Sequence, residues 1–274
     1  MRVFFVSVLA VVAVEALRLG PSFTSIGTRI ASSVRKVAAA VVIGGSLGSI
    51  APNAIASTTD STVYFGSGCF WHQQHEFIQT ERKVLDRGNS DITSLAGYAG
   101  GLNVAKDTDH PDNKDGIVCY HNFQGKGDYG KLGYGEVVGM KIPDAKIGDF
   151  ADEYFSLLDS NGDRPDKGDL GSEYRSLIGI PGGVNGPLFP AIQESLAKSG
   201  KGIKLVEGKG NDPDTLFKNK IWIMDTARFP FRQAEVYHQY HDGFMPGEQF
   251  GSAYHSLRDQ ALKDGRIAST GCPE

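Results

Sequence analysis

The chain has 274 residues, 40% of them apolar and 22% charged, which is the composition of globular material able to bury one sizeable core. A formal charge of -4 offers no clustered basic face of the kind phosphate binding needs, so nucleic acid is not expected as a partner. Cys69, Cys119 and Cys272 are too few and too widely spaced for a disulfide framework, and no C-x-x-C pair marks a structural zinc ribbon. An odd number leaves at least one thiol unpaired within the chain.

The first 56 residues read as a cleaved targeting leader. Arg2, the apolar run after it and a small-residue site ending at Ala16 form a signal peptide. Leu17–Lys36 carries Arg, Lys, Ser and Thr but no acid, as organelle transit segments do, and a second apolar run, Val37–Ala51, leads to an A-x-A site at Ala54-Ile55-Ala56. The expectation is passage through the secretory pathway to a plastid, with the thylakoid lumen as a further stop and secretion as the alternative. The second run is short and rich in Gly and Ser, so no stable membrane anchor is expected.

The folded domain is expected over residues 57–274. Strands are predicted at Thr62–Phe65, Ile92–Tyr98, Glu136–Ile142, Tyr174–Ile180 and Lys220–Asp225. Helices are predicted at Phe70–Leu85, Asp149–Leu158, Pro187–Gly200 and Gly247–Gly265. They interleave without a regular βαβ repeat, which predicts an α+β fold in one domain. The 35 glycines gather in loops such as "GYAGG", "GKGDYGKLGYG" and "PGGVNG", and loops of that length usually carry function or are mobile.

Cys69 falls at a strand-to-helix corner, in "GSGCFW". A helix N-terminus supplies free N–H groups and positive partial charge that favour a thiolate, and the flanking Gly66 and Gly68 allow a sharp turn that exposes the sulfur. The other reading is a small apolar side chain packed between strand and helix. Phe70 and Trp71 directly after it supply two large rings for the wall of an apolar pocket.

The ordered series "GCFW" (Gly68–Trp71), "GYAGG" (Gly97–Gly101), "GEVV" (Gly135–Val138), "GDLGSEYRS" (Gly168–Ser176) and "AEVYHQ" (Ala234–Gln239) resembles the A-type peptide methionine sulfoxide reductases. That resemblance implies a ferredoxin-like mixed or antiparallel sheet with flanking helices, and no bound cofactor. It implies that Cys69 attacks an S-configured methionine sulfoxide, free or in proteins, leaving a sulfenic acid that a second cysteine resolves to a disulfide for thioredoxin to reduce. Tyr98 and Tyr174 would bind the sulfoxide oxygen and Asp169 would be the active-site aspartate. Phe70 and Trp71 would clamp the methyl group, with Glu136, His238 and Tyr240 also binding substrate.

The chain departs from that pattern at several places. Ile117 stands where the pattern has an acid, leaving Asp115, Glu136 or the tyrosines to donate the proton. His72 and Gln74 replace a glycine and a glutamate, and His241 takes a tyrosine position, with Tyr240 shifted by one. Cys272, near the chain end, is the expected resolving cysteine and Cys119 the alternative. A monomer with a thioredoxin-type reductant is expected.

Two other readings compete. The pairs His72/His75 and His238/His241, with Glu235, form arrays that could converge on a metal, but they lack a zinc signature and no metal is expected. Asp159–Leu170 fails a calcium loop at Arg164 and Leu170, which stand at its glycine and glutamate positions. A protein that keeps the methionine-sulfoxide pocket without turnover is the remaining alternative.

Overall fold

The structure is a computed structural model that describes residues 59–111, 113–242 and 249–273. The leader expected over residues 1–56 lies outside them. Among the described residues no helix is long and apolar enough to cross a membrane.

β1 (Asp60–Gly66) is buried from Val63 onward, which places it inside the sheet rather than at an edge. α1 (Phe70–Leu85) follows, then β2 (Leu95–Ala99), β3 (Gly135–Pro143), α2 (Ile147–Ser156) and β4 (Leu177–Ile180). After these come α3 (Phe189–Ser199), β5 (Lys204–Glu207), β6 (Lys220–Asp225), β7 (Arg232–Gln233) and α4 (Ser252–Lys263). The seven strands lie in the order β5-β6-β4-β1-β3-β2-β7. The inner four run β4-β1-β3-β2, all antiparallel, with α1 and α2 as crossovers. This is the ferredoxin-like β-α-β-β-α-β unit, extended by β5 and β6 in parallel with β4. The α+β expectation holds.

Strand alternation divides the core in two. Phe65, Tyr98 and Val138 turn to the helix face, where Phe77, Phe150 and Tyr154 pack on them. Tyr64, Ala99, Val137 and Leu177 turn to the other face and meet Trp222, Met224 and Phe229. Phe77 is wholly buried against Phe65, their ring centroids 5.1 Å apart, so its truncation to Ala should cost about 3–5 kcal/mol. A satellite cluster of Ile78, Ile92, Tyr240, Tyr254, Leu257 and Ile267 fastens α4 to the back of α1.

β5 and β7 were not expected from sequence. Both are short and at most half-buried, so neither shows the alternation that marks a strand. The strand expected from Tyr174 begins only at Leu177, because Ser172–Tyr174 form a 3-10 turn. The helix expected over 247–265 is described only from Ser252, after Gly251 at φ 82°.

Candidate active site

The site forms where β1 ends and α1 begins. Gly68 sits at φ 78°, a conformation that suits glycine, and its N–H is held by the Tyr174 carbonyl at 3.0 Å. Gly66 permits the close approach of β3, since a Cβ there would lie 2.3 Å from the Glu136 carbonyl oxygen. Cys69 is the N-cap of α1 but offers no capping hydrogen bond. A neighbouring strand supplies the cap instead: the free Phe70 N–H donates to Glu136 Oε2 at 3.0 Å.

Glu136 is therefore brought to the thiol by β3 and held there. Its other oxygen accepts the Tyr129 hydroxyl at 3.1 Å, and only 2% of the residue is exposed. Burial pushes its pKa up to about 8; the Phe70 N–H and Tyr129 hydroxyl act against that, while the Asp169 and Glu173 charges add to it. Cys69, the only free cysteine, is partly buried. Burial raises its pKa well above the ordinary thiol value and the Glu136 charge raises it further, against the Trp71 and His72 N–H groups. Burial thus favours the neutral form of both groups. The thiolate expected from the helix N-terminus is overridden by burial.

Hydroxyls surround this pair. Tyr98 lies directly across the ladder from Glu136, but its hydroxyl donates to Glu235 Oε2 at 2.8 Å. Tyr174 is pushed up by burial and then by the Glu136 charge. Tyr120, which interacts with the Tyr174 hydroxyl, is pushed up to about 12 by burial, with Glu136 and Cys69 adding to the shift. Asp169 rises to about 6, through burial and then its neighbour Asp166. Buried Arg164, paired with Asp214 at 2.8 Å, also donates to the Asp169 carbonyl and so anchors the Asp169 loop.

The aromatic side of the site opens into a cavity of about 740 Å³. Trp71, Tyr120, Phe123, Tyr237 and His238 line it, with Glu235 and Pro273, and it lies against Trp71 rather than Cys69 itself. Phe70 is buried with its ring 5.2 Å from His238, and Trp71 lies 4.2 Å from the His241 ring. Burial, with the His241 charge second, lowers His238 to about 4. Trp71 Nε1 and His238 Nδ1 are both buried without a hydrogen-bond partner, two polar groups that a ligand in this cavity could satisfy.

The Ala234–Gln239 segment is tied down by a buried amide pair. Gln74 Nε2 donates to Gln239 Oε1 at 3.2 Å, and Gln239 grips both backbone groups of Ala96. This gives Gln74 a structural role. The same network places Tyr240 elsewhere: its N–H donates to Gln74 Oε1 at 2.6 Å, and at φ 54° its ring turns into the cluster under α4. Tyr240 does not line the cavity, contrary to its expected place in substrate binding.

Further expectations are revised. Cys272 is not a free cysteine on a loose tail: it is bonded to Cys119, 153 residues away in sequence. The segment before it is strapped down by Gln233 Nε2 to the Ala268 carbonyl at 2.7 Å and by Arg266 Nη1 to the Ile92 carbonyl at 2.9 Å. Ile117 is buried, and Asp115, after which Gly116 turns at φ 66°, is exposed rather than in the site. Among the described residues, the histidine arrays do not assemble a metal-capable group; Cys119, Glu235 and Cys272 do.

Sequence reasoning missed Tyr120, Tyr129 and the clamping of Glu235. Tyr120 directly follows Cys119 and Tyr129 stands in the loop "GKGDYGKLGYG", but nothing in their spacing ties them to Cys69. Glu235 Oε1 accepts the Tyr120 N–H at 2.7 Å, a contact 115 residues long.

No family model matches the chain. No curated protein matches it either. Among solved structures it is similar to Mxr1 from Saccharomyces cerevisiae in reduced form, at 21% identity over 67% of this chain and 84% of that one, with a TM-score of 0.39. It is also similar to methionine sulfoxide reductase A of Corynebacterium diphtheriae, at 17% identity over 78% of this chain and 84% of that one, with a TM-score of 0.40. Likeness at this level does not establish a family.

Proposed function

We propose that the protein reduces S-configured methionine sulfoxide through Cys69. The observation that carries this reading is the placement of a buried acid, Glu136, on the Phe70 N–H next to the Cys69 thiol, beside an aromatic cavity walled by Trp71. Sulfoxide reduction needs an electron pair from a nucleophile and a proton at the departing oxygen, and these two groups supply them. The Glu136 proton passes to the sulfoxide oxygen as the Cys69 sulfur attacks, and the thiol proton returns to Glu136. The S–O bond of the substrate breaks and a Cys69 S–OH bond forms, so the thioether leaves and the cysteine is oxidised by two electrons. A dithiol of the thioredoxin type then reduces the sulfenic acid, giving water, a disulfide in the reductant and the Cys69 thiol.

In this reading Glu136 takes the place of the acid missing at Ile117. The unpartnered Trp71 Nε1 lies in the cavity wall, positioned to meet a polar part of the substrate. The test compares wild type with Cys69→Ser on the S and R epimers under dithiothreitol. The S epimer should be consumed by wild type alone; wild type no faster than the variant would end the proposal. A second reading, binding without turnover, is favoured by buried Ile117 and exposed Asp115. It would show as saturable binding of the S epimer with no thioether formed.

A further inference from the structure

We propose that reduction of the Cys119–Cys272 disulfide creates a site for a thiophilic divalent cation such as zinc, held by Cys119, Cys272 and Glu235. One ligand atom from each of these residues lies within 4.8 Å of the other two. A tetrahedral zinc centre with Zn–S near 2.3 Å and Zn–O near 2.1 Å needs its donors about 3.4–3.8 Å apart. Breaking the sulfur–sulfur bond lets the two sulfurs move apart towards that spacing, while the carboxylate has only to close in.

The surroundings favour such a site. Cys119 is fully buried and its backbone is pinned on both sides, its N–H to the Gly127 carbonyl at 2.7 Å and its carbonyl to the Tyr129 N–H at 2.8 Å. The chain next to Cys272 is held where Lys126 Nζ donates to the Gly271 carbonyl at 3.3 Å. Glu235 is oriented by the Tyr98 hydroxyl at 2.8 Å and the Tyr120 N–H at 2.7 Å, outer-shell donors of the kind that fix a ligating carboxylate. Glu235 and Pro273 also face the cavity, which leaves room for water at a fourth position.

The chemistry balances. A dithiol reductant gives two electrons and two protons to the disulfide, and binding of the cation releases two protons from the thiols formed. Two thiolates and one carboxylate select zinc or cobalt over magnesium or calcium. In the disulfide state the two thiolate ligands do not exist, so occupancy follows the redox state. A bound cation would in turn withhold the pair from thiol–disulfide exchange. None of this rests on sulfoxide reduction, since Cys69 is outside the group.

The test uses the full chain, reduced with dithiothreitol, freed of it without oxygen and titrated with cobalt. The reduced chain should take up one cobalt, with thiolate-to-metal charge-transfer absorption that zinc abolishes. The oxidised chain and Cys272→Ser should show no such band, Glu235→Gln should bind at least about tenfold more weakly, and Cys69→Ser should bind as wild type does. Absence of the band from the reduced chain, its persistence in Cys272→Ser or its loss in Cys69→Ser would each overturn the proposal. The oxidised and reduced forms of the unmutated protein keep the comparison free of any folding defect in a variant.

Discussion

Near neighbours of Cys69 (Trp71) and of the Cys119–Cys272 strap (Tyr120 and Pro273) line the same aromatic cavity, yet the corner and the strap are held by opposite means. The corner is made by neighbours in the sheet: β1 delivers the thiol, β3 the acid and β2 Tyr98, and their register fixes the geometry. The strap joins two segments with little regular structure through one covalent bond, and its chain links are long. The first should therefore be robust to redox conditions and sensitive to single charges. The second should be the reverse. Buried ionisable groups in a sheet respond to pH, whereas a bond that closes a long loop responds to reductant.

The largest effect that separates them is on stability. Closing a loop of 153 residues should stabilise by about 5 kcal/mol on loop entropy alone. Cys272→Ser should lose most of that in denaturant melts of oxidised protein and lose little when both proteins are reduced. Equal stability under oxidising conditions would show that the strap carries no load.

Next comes Glu136→Gln, which keeps an acceptor for the Phe70 N–H, turns the Tyr129 hydroxyl from donor to acceptor and removes the acid. Turnover should fall by about 10²–10⁴-fold. In wild type the acid form is the active one, so the rate should decline as pH rises through about 8, and this limb should vanish from the variant. The effect on stability has the same sign. The unfolded chain ionises Glu136 near the ordinary 4.5 while the fold keeps it neutral to about 8, so wild type loses stability relative to the variant between those values and not above them. A rate profile unchanged by the substitution would remove Glu136 from proton transfer.

Trp71→Ala should act more weakly and differently. The Trp71 indole walls the cavity beside His238 and His241, and only the backbone N–H, which the substitution keeps, bonds the Cys69 sulfur. Its loss should raise KM by about tenfold with kcat changed by less than about threefold, the signature of lost uniform binding. A kcat effect equal to that of Glu136→Gln would mean that the indole holds the reacting atoms themselves.

Much of this was legible in the sequence, and the parts that were not share a physical cause. Thr62–Phe65 and the spaced apolar residues of Phe70–Leu85 announce a strand and a helix because local periodicity encodes burial. They therefore place Cys69 at its corner. Glu136 becomes an acid beside the thiol only through the pairing of β3 with β1 and β2, and register across more than 60 residues leaves no local mark. Tyr129 and the Cys119–Cys272 pairing likewise depend on how loops close, where spacing carries no periodic signal. β5 and β7 are too short and too exposed to alternate.

The smallest predicted effect tests the boundary of the site. Tyr240 is adjacent in sequence to the segment that contributes Glu235 and His238, and sequence alone places it with the substrate. The structure turns it away, because Gln74 holds its N–H and a left-handed backbone aims its ring at Tyr254, 6.1 Å away between centroids. Tyr240→Phe keeps that ring packing and removes only the hydroxyl. Turnover and KM should both stay within about twofold of wild type, since a loss confined to a separate cluster leaves transition-state binding intact. A tenfold loss in kcat/KM with unchanged thermal stability would put the hydroxyl back at the sulfoxide and would redraw the cavity wall between His238 and α4.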